Sequence, residues 1–210
     1  MIKSILLDMD GVVADFMTPS ILWHKEAAAR RLAIHCAKDM EDLYPRGEWN
    51  TPRVLGMTVA EWWAPIDNYD FWINVPMYPG AREFVEAVNK IAPVTFCTSS
   101  SLSPDCAKAK IEWIARHIGS QYPMFIGYRG VSKGLMARPD QLLVDDYSKN
   151  VDEYTAAGGP AYLIPRPWAE GSEDYQSAKH VSFLKVDYDT VLNTIQTKVE
   201  SSKLRRLEHE

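Results

Sequence analysis

Two pairs of carboxylates stand where they could share one ion. Asp8 and Asp10 lie one residue apart, directly after the apolar run Ile5-Leu6-Leu7, and Gly11-Val12-Val13-Ala14-Asp15-Phe16 comes next. Asp145 and Asp146 are adjacent and close the run Gln141-Leu142-Leu143-Val144. A short apolar run bounded by Asp and Gly reads as a buried strand that stops abruptly. In open α/β sheets, ligands bind at the carboxyl ends of such strands. Adjacent buried acids repel each other unless a cation lies between them, and a hard oxygen-ligated ion such as Mg²⁺ removes that repulsion. A carboxylate can also attack phosphorus to give an aspartyl-phosphate. A second carboxylate two residues on can protonate the leaving oxygen and then deprotonate the incoming water. The same acids could instead cap helices and favour their dipoles.

The stretch Asp8-Met9-Asp10-Gly11-Val12-Val13-Ala14-Asp15-Phe16 resembles the first motif of the haloacid dehalogenase-like phosphohydrolases, and its length resembles the 5'(3')-deoxyribonucleotidase family within them. The resemblance implies Asp8 as nucleophile and Asp10 as acid and base. Cys97-Thr98-Ser99-Ser100 resembles the second motif, which implies that Thr98 and Ser99 hydrogen-bond phosphate oxygens. Lys133, in Gly130-Val131-Ser132-Lys133-Gly134, takes the place of the cation that neutralises phosphate and keeps the nucleophile ionised, with Arg129, Lys108 and Lys110 behind it as candidates. The metal set implied is Asp8, the Asp10 carbonyl, Asp145 and Asp146, with Asp146 favoured as direct ligand and Asp145 behind it. Phe16 matches a base-facing Phe of the family. Gly47 and Trp49 fit part of its cap segment, and Trp62 or Trp63 matches a second cap Trp. Flat aromatic walls suit a nucleobase, and Asn50 could bond a base edge.

These residues need a frame. Strands are expected over 3–7, 93–97, 124–127, 141–144 and 161–164. Helical spacing occupies 81–91, 104–118 and 148–157, with Ser103 capping the second helix and Gly158-Gly159 stopping the third. Asp187 caps a last helix bearing Val191, Ile195 and Val199. Alternating elements predict an α/β fold with a Rossmann-like parallel sheet. Residues 17–75 break the pattern. They open with a helix over 21–34 and hold Trp23, Trp49, Trp62, Trp63 and Trp72, so they are read as a small helical cap inserted after the first strand. The core domain is then 1–16 plus 76–210. The tryptophans suit a small helical core as well as a substrate wall.

A net charge of −5 argues against a polymeric nucleic-acid partner but not against a small anion, since one Lys and one Mg²⁺ can reverse the local potential. Three cysteines, Cys36, Cys97 and Cys106, without C-x-x-C spacing point to a reducing compartment, the cytoplasm. No signal peptide or membrane span is visible. His24, His35, His117 and His180 show no ligand spacing, and Pro165-Arg166-Pro167-Trp168 is expected to shape a loop at the rim of the site. The expected partner is a small phosphate ester, a deoxyribonucleoside monophosphate; a homodimer is left open. A sugar phosphatase and a catalytically silent binding protein of the same fold are the rival readings.

Overall fold

Ile5, Leu6 and Leu7 are wholly buried because the strand that carries them, β1 (Ser4–Leu7), has a neighbour on each side and helices on both faces. A computed structural model describes residues 1–178 and 181–207, so His180 lies outside the described residues. The other strands are β2 (Val94–Ser100), β3 (Met124–Tyr128), β4 (Gln141–Asp145) and β5 (Ala161–Leu163). They form one parallel sheet in the order β3-β2-β1-β4-β5. The chain builds outward from β1 on one side, then returns to its other side with β4. The strand order therefore reverses between β1 and β4, the crevice where open α/β sheets bind ligands. Leu7 pairs with both Phe96 and Val144. Asp8, Cys97 and Asp145 consequently reach the same carboxyl edge.

Strand β2 runs three residues further than expected, so Thr98 and Ser99 sit inside it, paired with Ile126 and Gly127 of β3. Between β1 and α7 (Ala81–Ile91) lie six short helices: α1 (Met17–Trp23), α2 (Lys25–Leu32), α3 (Asp39–Leu43), α4 (Thr51–Leu55), α5 (Val59–Trp63) and α6 (Tyr69–Ile73). The single helix expected over 21–34 is broken at His24, which ends α1 and opens α2. A full Thr58–Glu61 capping box starts α5, and the Asn50 and Asn68 side chains cap α4 and α6. Trp62, Ile66, Phe71 and Trp72 are buried in the same continuous apolar cluster as the sheet. The six helices thus share their core with the sheet, which fixes them over its carboxyl edge.

Helix α8 (Pro104–His117) is capped by Ser103 as expected. Cys106, Ala109, Lys110, Trp113 and Ile114 point inward, while Ile111 is exposed. A 3₁₀ turn (Lys133–Met136) lies after β3, α9 (Ser148–Ala156) after β4, and α10 (Tyr188–Leu207) closes the described chain. Asp187 caps α10 through the Thr190 N–H. No described helix is long and apolar enough to cross a membrane.

Candidate active site

At the end of β1, Asp8 has one oxygen held and one free. Its Oδ1 accepts the Met9 N–H at 2.8 Å and lies 2.9 Å from Lys133 Nζ. Its Oδ2 has no donor among the described residues, and Asp8 lines a cavity of about 380 Å³. Lys133 Nζ also donates to Asp145 Oδ2 at 2.6 Å. This ammonium is buried, which disfavours its charge, yet Asp145 and Asp8 outweigh burial and hold it above its ordinary value. Burial lifts the Asp8 carboxyl to about 7; Lys133 opposes that rise, while Asp145 and Asp10 add to it.

The two acids at the end of β4 differ in their partners. Asp145 is saturated by protein donors: Lys133, the Tyr147 N–H at 2.9 Å, and the Asn150 amide at 3.1 and 3.2 Å on its two oxygens. Asp146 accepts a single hydrogen bond, from Trp168 Nε1 to Oδ2 at 2.9 Å, and lines the cavity. Burial first, then Asp145 and Asp8, push its carboxyl well above the carboxylate range. One ligand oxygen from each of Asp8, Asp145 and Asp146 can be chosen so that all lie within 4.8 Å of one another. Gly11 makes this approach feasible. Its φ is +72°, and a Cβ there would fall 1.9 Å from Asp146 Oδ2.

Asp10 meets a lysine that stands low among the candidates from sequence. Lys110 is wholly buried, and its ammonium bonds Asp10 Oδ2, Thr98 Oγ1 at 3.0 Å and the Ser99 carbonyl at 2.6 Å. It also lies over the Trp72 ring at 4.7 Å. Asp10 Oδ1 is buried with no partner among the described residues. Thr98, expected to face phosphate, is buried and engaged by Lys110, whereas Ser99, Ser100 and Ser101 line the cavity. The sequence does carry a signal for Lys110: it shares helical spacing with Cys106, Ala109, Trp113 and Ile114, so it is a lysine on the apolar face of a helix. Among the other candidate cations, Arg129 lies over the Trp63 ring at 5.2 Å and Lys108 over Tyr69 at 4.9 Å.

The cavity has aromatic walls. Phe16 stacks on Trp72, with centroids 5.0 Å apart and planes 2° from parallel, and on Trp63 at 6.1 Å. Trp49 stacks on Tyr147 at 4.9 Å. Trp62 also borders the cavity but is buried, with His24 stacked on it at 4.7 Å. Asn50 borders it too, while its side-chain oxygen caps α4. Tyr147 and Trp72 had no assigned place in the site from sequence.

A family model described as 5' nucleotidase, deoxy (pyrimidine), cytosolic type C protein matches residues 1–179. The chain belongs to this family. A Bordetella bronchiseptica protein named "Putative 5'(3')-deoxyribonucleotidase" is 32% identical over 120 residues, which is 56% of this chain and 61% of that protein. A Bordetella pertussis protein of the same name is 31% identical over 125 residues, 55% of this chain and 60% of that one. The match therefore spans about three fifths of these relatives. Among solved structures, a HAD hydrolase, family IA, variant 3, from Entamoeba histolytica superposes with a TM-score of 0.53 at 14% identity, covering 95% of this chain and all of that one. A phosphonoacetaldehyde hydrolase like protein from Oleispira antarctica gives 0.53 at 15% identity and 94% of both chains. These two likenesses show the fold, the haloacid dehalogenase-like arrangement of a parallel sheet with flanking helices. The nucleotidase family match covers β1 through β5 and every candidate residue above.

Proposed function

We propose that this member of the deoxyribonucleotidase family is a Mg²⁺-dependent phosphomonoesterase that dephosphorylates deoxyribonucleoside monophosphates through an aspartyl-phosphate. The observation that carries this reading is the Asp8–Lys133–Asp145 chain with Asp146 beside it, at the base of an aromatic-walled cavity. The donor set fits a hard divalent ion. Three buried carboxylates, Asp8, Asp145 and Asp146, face one ammonium, Lys133, so with all three ionised two negative charges stay uncompensated in a dry site. Asp8 and Asp146 each keep an oxygen free of protein donors; Asp145 does not. That supports Asp146 as a direct ligand, with Asp145 behind it; Asp8 and the Asp10 carbonyl join the set as the family resemblance implies. When bound, the ion would neutralise phosphate charge and hold the phosphorus against the nucleophile.

Lys133 keeps Asp8 oriented through Oδ1, which leaves Oδ2 to attack phosphorus. The P–O bond to the substrate breaks as the Asp8–phosphorus bond forms. Asp10 gives its proton to the departing alkoxide, then takes one from water as that water attacks the aspartyl-phosphate. Inorganic phosphate leaves and Asp8 is regenerated. Lys110 holds Asp10 in place throughout. Ser99 lies where its hydroxyl can meet phosphate oxygens, and Thr98 acts beneath it through Lys110. Phe16 with Trp63, Trp49 with Tyr147, and Trp62 behind them would hold a flat base in a cavity within the usual size for small ligands. The helices of 17–75 act as the cap that excludes water from the reaction.

A phosphate-release screen over nucleoside monophosphates and sugar phosphates, with Mg²⁺ and with EDTA, tests the reading. Deoxyribonucleoside monophosphates should lead, and chelation should abolish turnover. Faster release from baseless sugar phosphates would favour the sugar phosphatase, and no release from any ester would favour a binding protein.

A further inference from the structure

Behind Asp146, outside the cavity, stands a residue that sequence alone places only in a rim loop. Trp168 is buried at 6% exposure, and its Nε1–H points at Asp146 Oδ2 from 2.9 Å. That oxygen has nowhere else to go. The Gly11 backbone closes on it so tightly that a Cβ there would stand 1.9 Å away. Trp168 in turn is clamped. The Arg166 guanidinium lies against its ring at 4.7 Å, and Phe183 and Trp49 pack on it at 5.7 and 5.6 Å. Arg166 has no freedom of its own: it is wholly buried and donates to the Lys185 and Phe183 carbonyls and the Tyr78 hydroxyl at 2.7, 3.1 and 2.5 Å. The result is a rigid stack running from the segment before α10, through Arg166 and Trp168, to one oxygen of one carboxylate.

We propose that Trp168 is a positioning residue for the metal site: its indole N–H anchors Asp146 Oδ2 and so presents Oδ1 to a divalent cation. This rests on the metal-dependent reading above. A carboxylate with both oxygens free could rotate, chelate through two atoms or turn toward Lys133. With Oδ2 pinned, it can offer the cation one atom in one direction. That suits Mg²⁺, which demands near-ideal octahedral geometry and tolerates little ligand wander. Groups that orient a metal ligand typically change affinity about ten- to a hundredfold when removed.

The test is Mg²⁺ titration of the substrate-free protein by calorimetry. Trp168→Phe keeps the ring packing on Arg166 and Trp49 but loses the N–H. It should bind Mg²⁺ about ten- to a hundredfold more weakly, while kcat/KM at saturating Mg²⁺ returns near wild type. Replacing Trp168 with its benzothienyl analogue, which puts sulfur where Nε1–H stands, removes the donor with almost no change of shape. It decides the matter should the Phe variant not fold. Tyr154→Phe is the control. It deletes a buried hydrogen bond to the Gln141 carbonyl at the opposite end of β4, and should leave Mg²⁺ affinity unchanged. Equal Mg²⁺ affinity in wild type and both Trp168 replacements would overturn the positioning role and leave the metal reading standing. A wild-type protein that binds no Mg²⁺ would overturn both.

Discussion

Replacing Asp8, the proposed nucleophile, should make the metal-free protein more stable. Burial lifts the Asp8 carboxyl from 3.8 to about 7, with the attraction of Lys133 already included. Between about pH 4 and 7 the folded protein holds a proton that the unfolded chain has released, so stability falls as pH rises through that window. The contribution is present below about 4 and fully lost above about 7. Roughly three pKa units at 1.36 kcal/mol each amount to about 4 kcal/mol, a large share of a typical domain's stability. Asp8→Asn keeps an oxygen for the Met9 N–H and cannot ionise. In EDTA at about pH 7.5 it should therefore exceed wild type by up to about 4 kcal/mol, and at about pH 4 the two should agree. Asp146 and Asp15 are also raised by burial and slope the same way; Asp15 is unaffected by the substitution, while Asp146 is relieved of the repulsion of Asp8, which adds to the difference in the same direction. Urea unfolding at about pH 4, 5.5 and 7.5 reads it directly. Saturating Mg²⁺ should close much of the gap by stabilising wild type, while Asp8→Asn loses at least about 10³-fold in turnover. Parallel pH profiles for the two proteins in EDTA would refute the reasoning.

Asp10→Asn should slow release from nucleoside monophosphates about 10²- to 10⁴-fold and from a nitrophenyl ester much less, because that leaving group needs little protonation; steady-state rates on both esters check it. Lys110→Met strands Asp10 beside its already unpartnered Oδ1, and should cost about 3 kcal/mol in urea unfolding and reproduce the leaving-group pattern of Asp10→Asn; normal kinetics would mean that Lys110 only fills space. Trp49→Ala should raise KM about five- to 150-fold for a nucleotide and far less for a small baseless ester, and equal effects on both would make Trp49 structural.

Phe16 is a poorer probe of base contact than its place in the first motif suggests. It is stacked on Trp72 and Trp63, so its truncation opens an aromatic stack and costs stability before it touches substrate. Trp49 is the cleaner probe of the wall.

Local pattern determined much here. Five apolar runs, closed by Asp8, Thr98, Gly127, Asp145 and Pro165, specify five strands. Asp8-x-Asp10-Gly11 and Asp145-Asp146 specify an acidic edge, because the residues just past a strand's last pairing lie at the sheet's carboxyl edge. The amphipathic spacing of α7 and the Asp187 cap of α10 are equally legible. The order β3-β2-β1-β4-β5 is not, since which strands become neighbours depends on long-range pairing that no local window holds. That order is what sets Asp8 beside Asp145 and lets Lys133 bridge them. Lys110 and Trp168 belong to the same class. One is a lysine on an apolar helix face, the other a tryptophan in a proline loop, and each acquires meaning only from the carboxylate that folding brings to it. Residue type and spacing name the groups able to do chemistry, but hydrogen-bond partners across 100 residues of chain, as between Asp10 and Lys110, exist only once the sheet has closed.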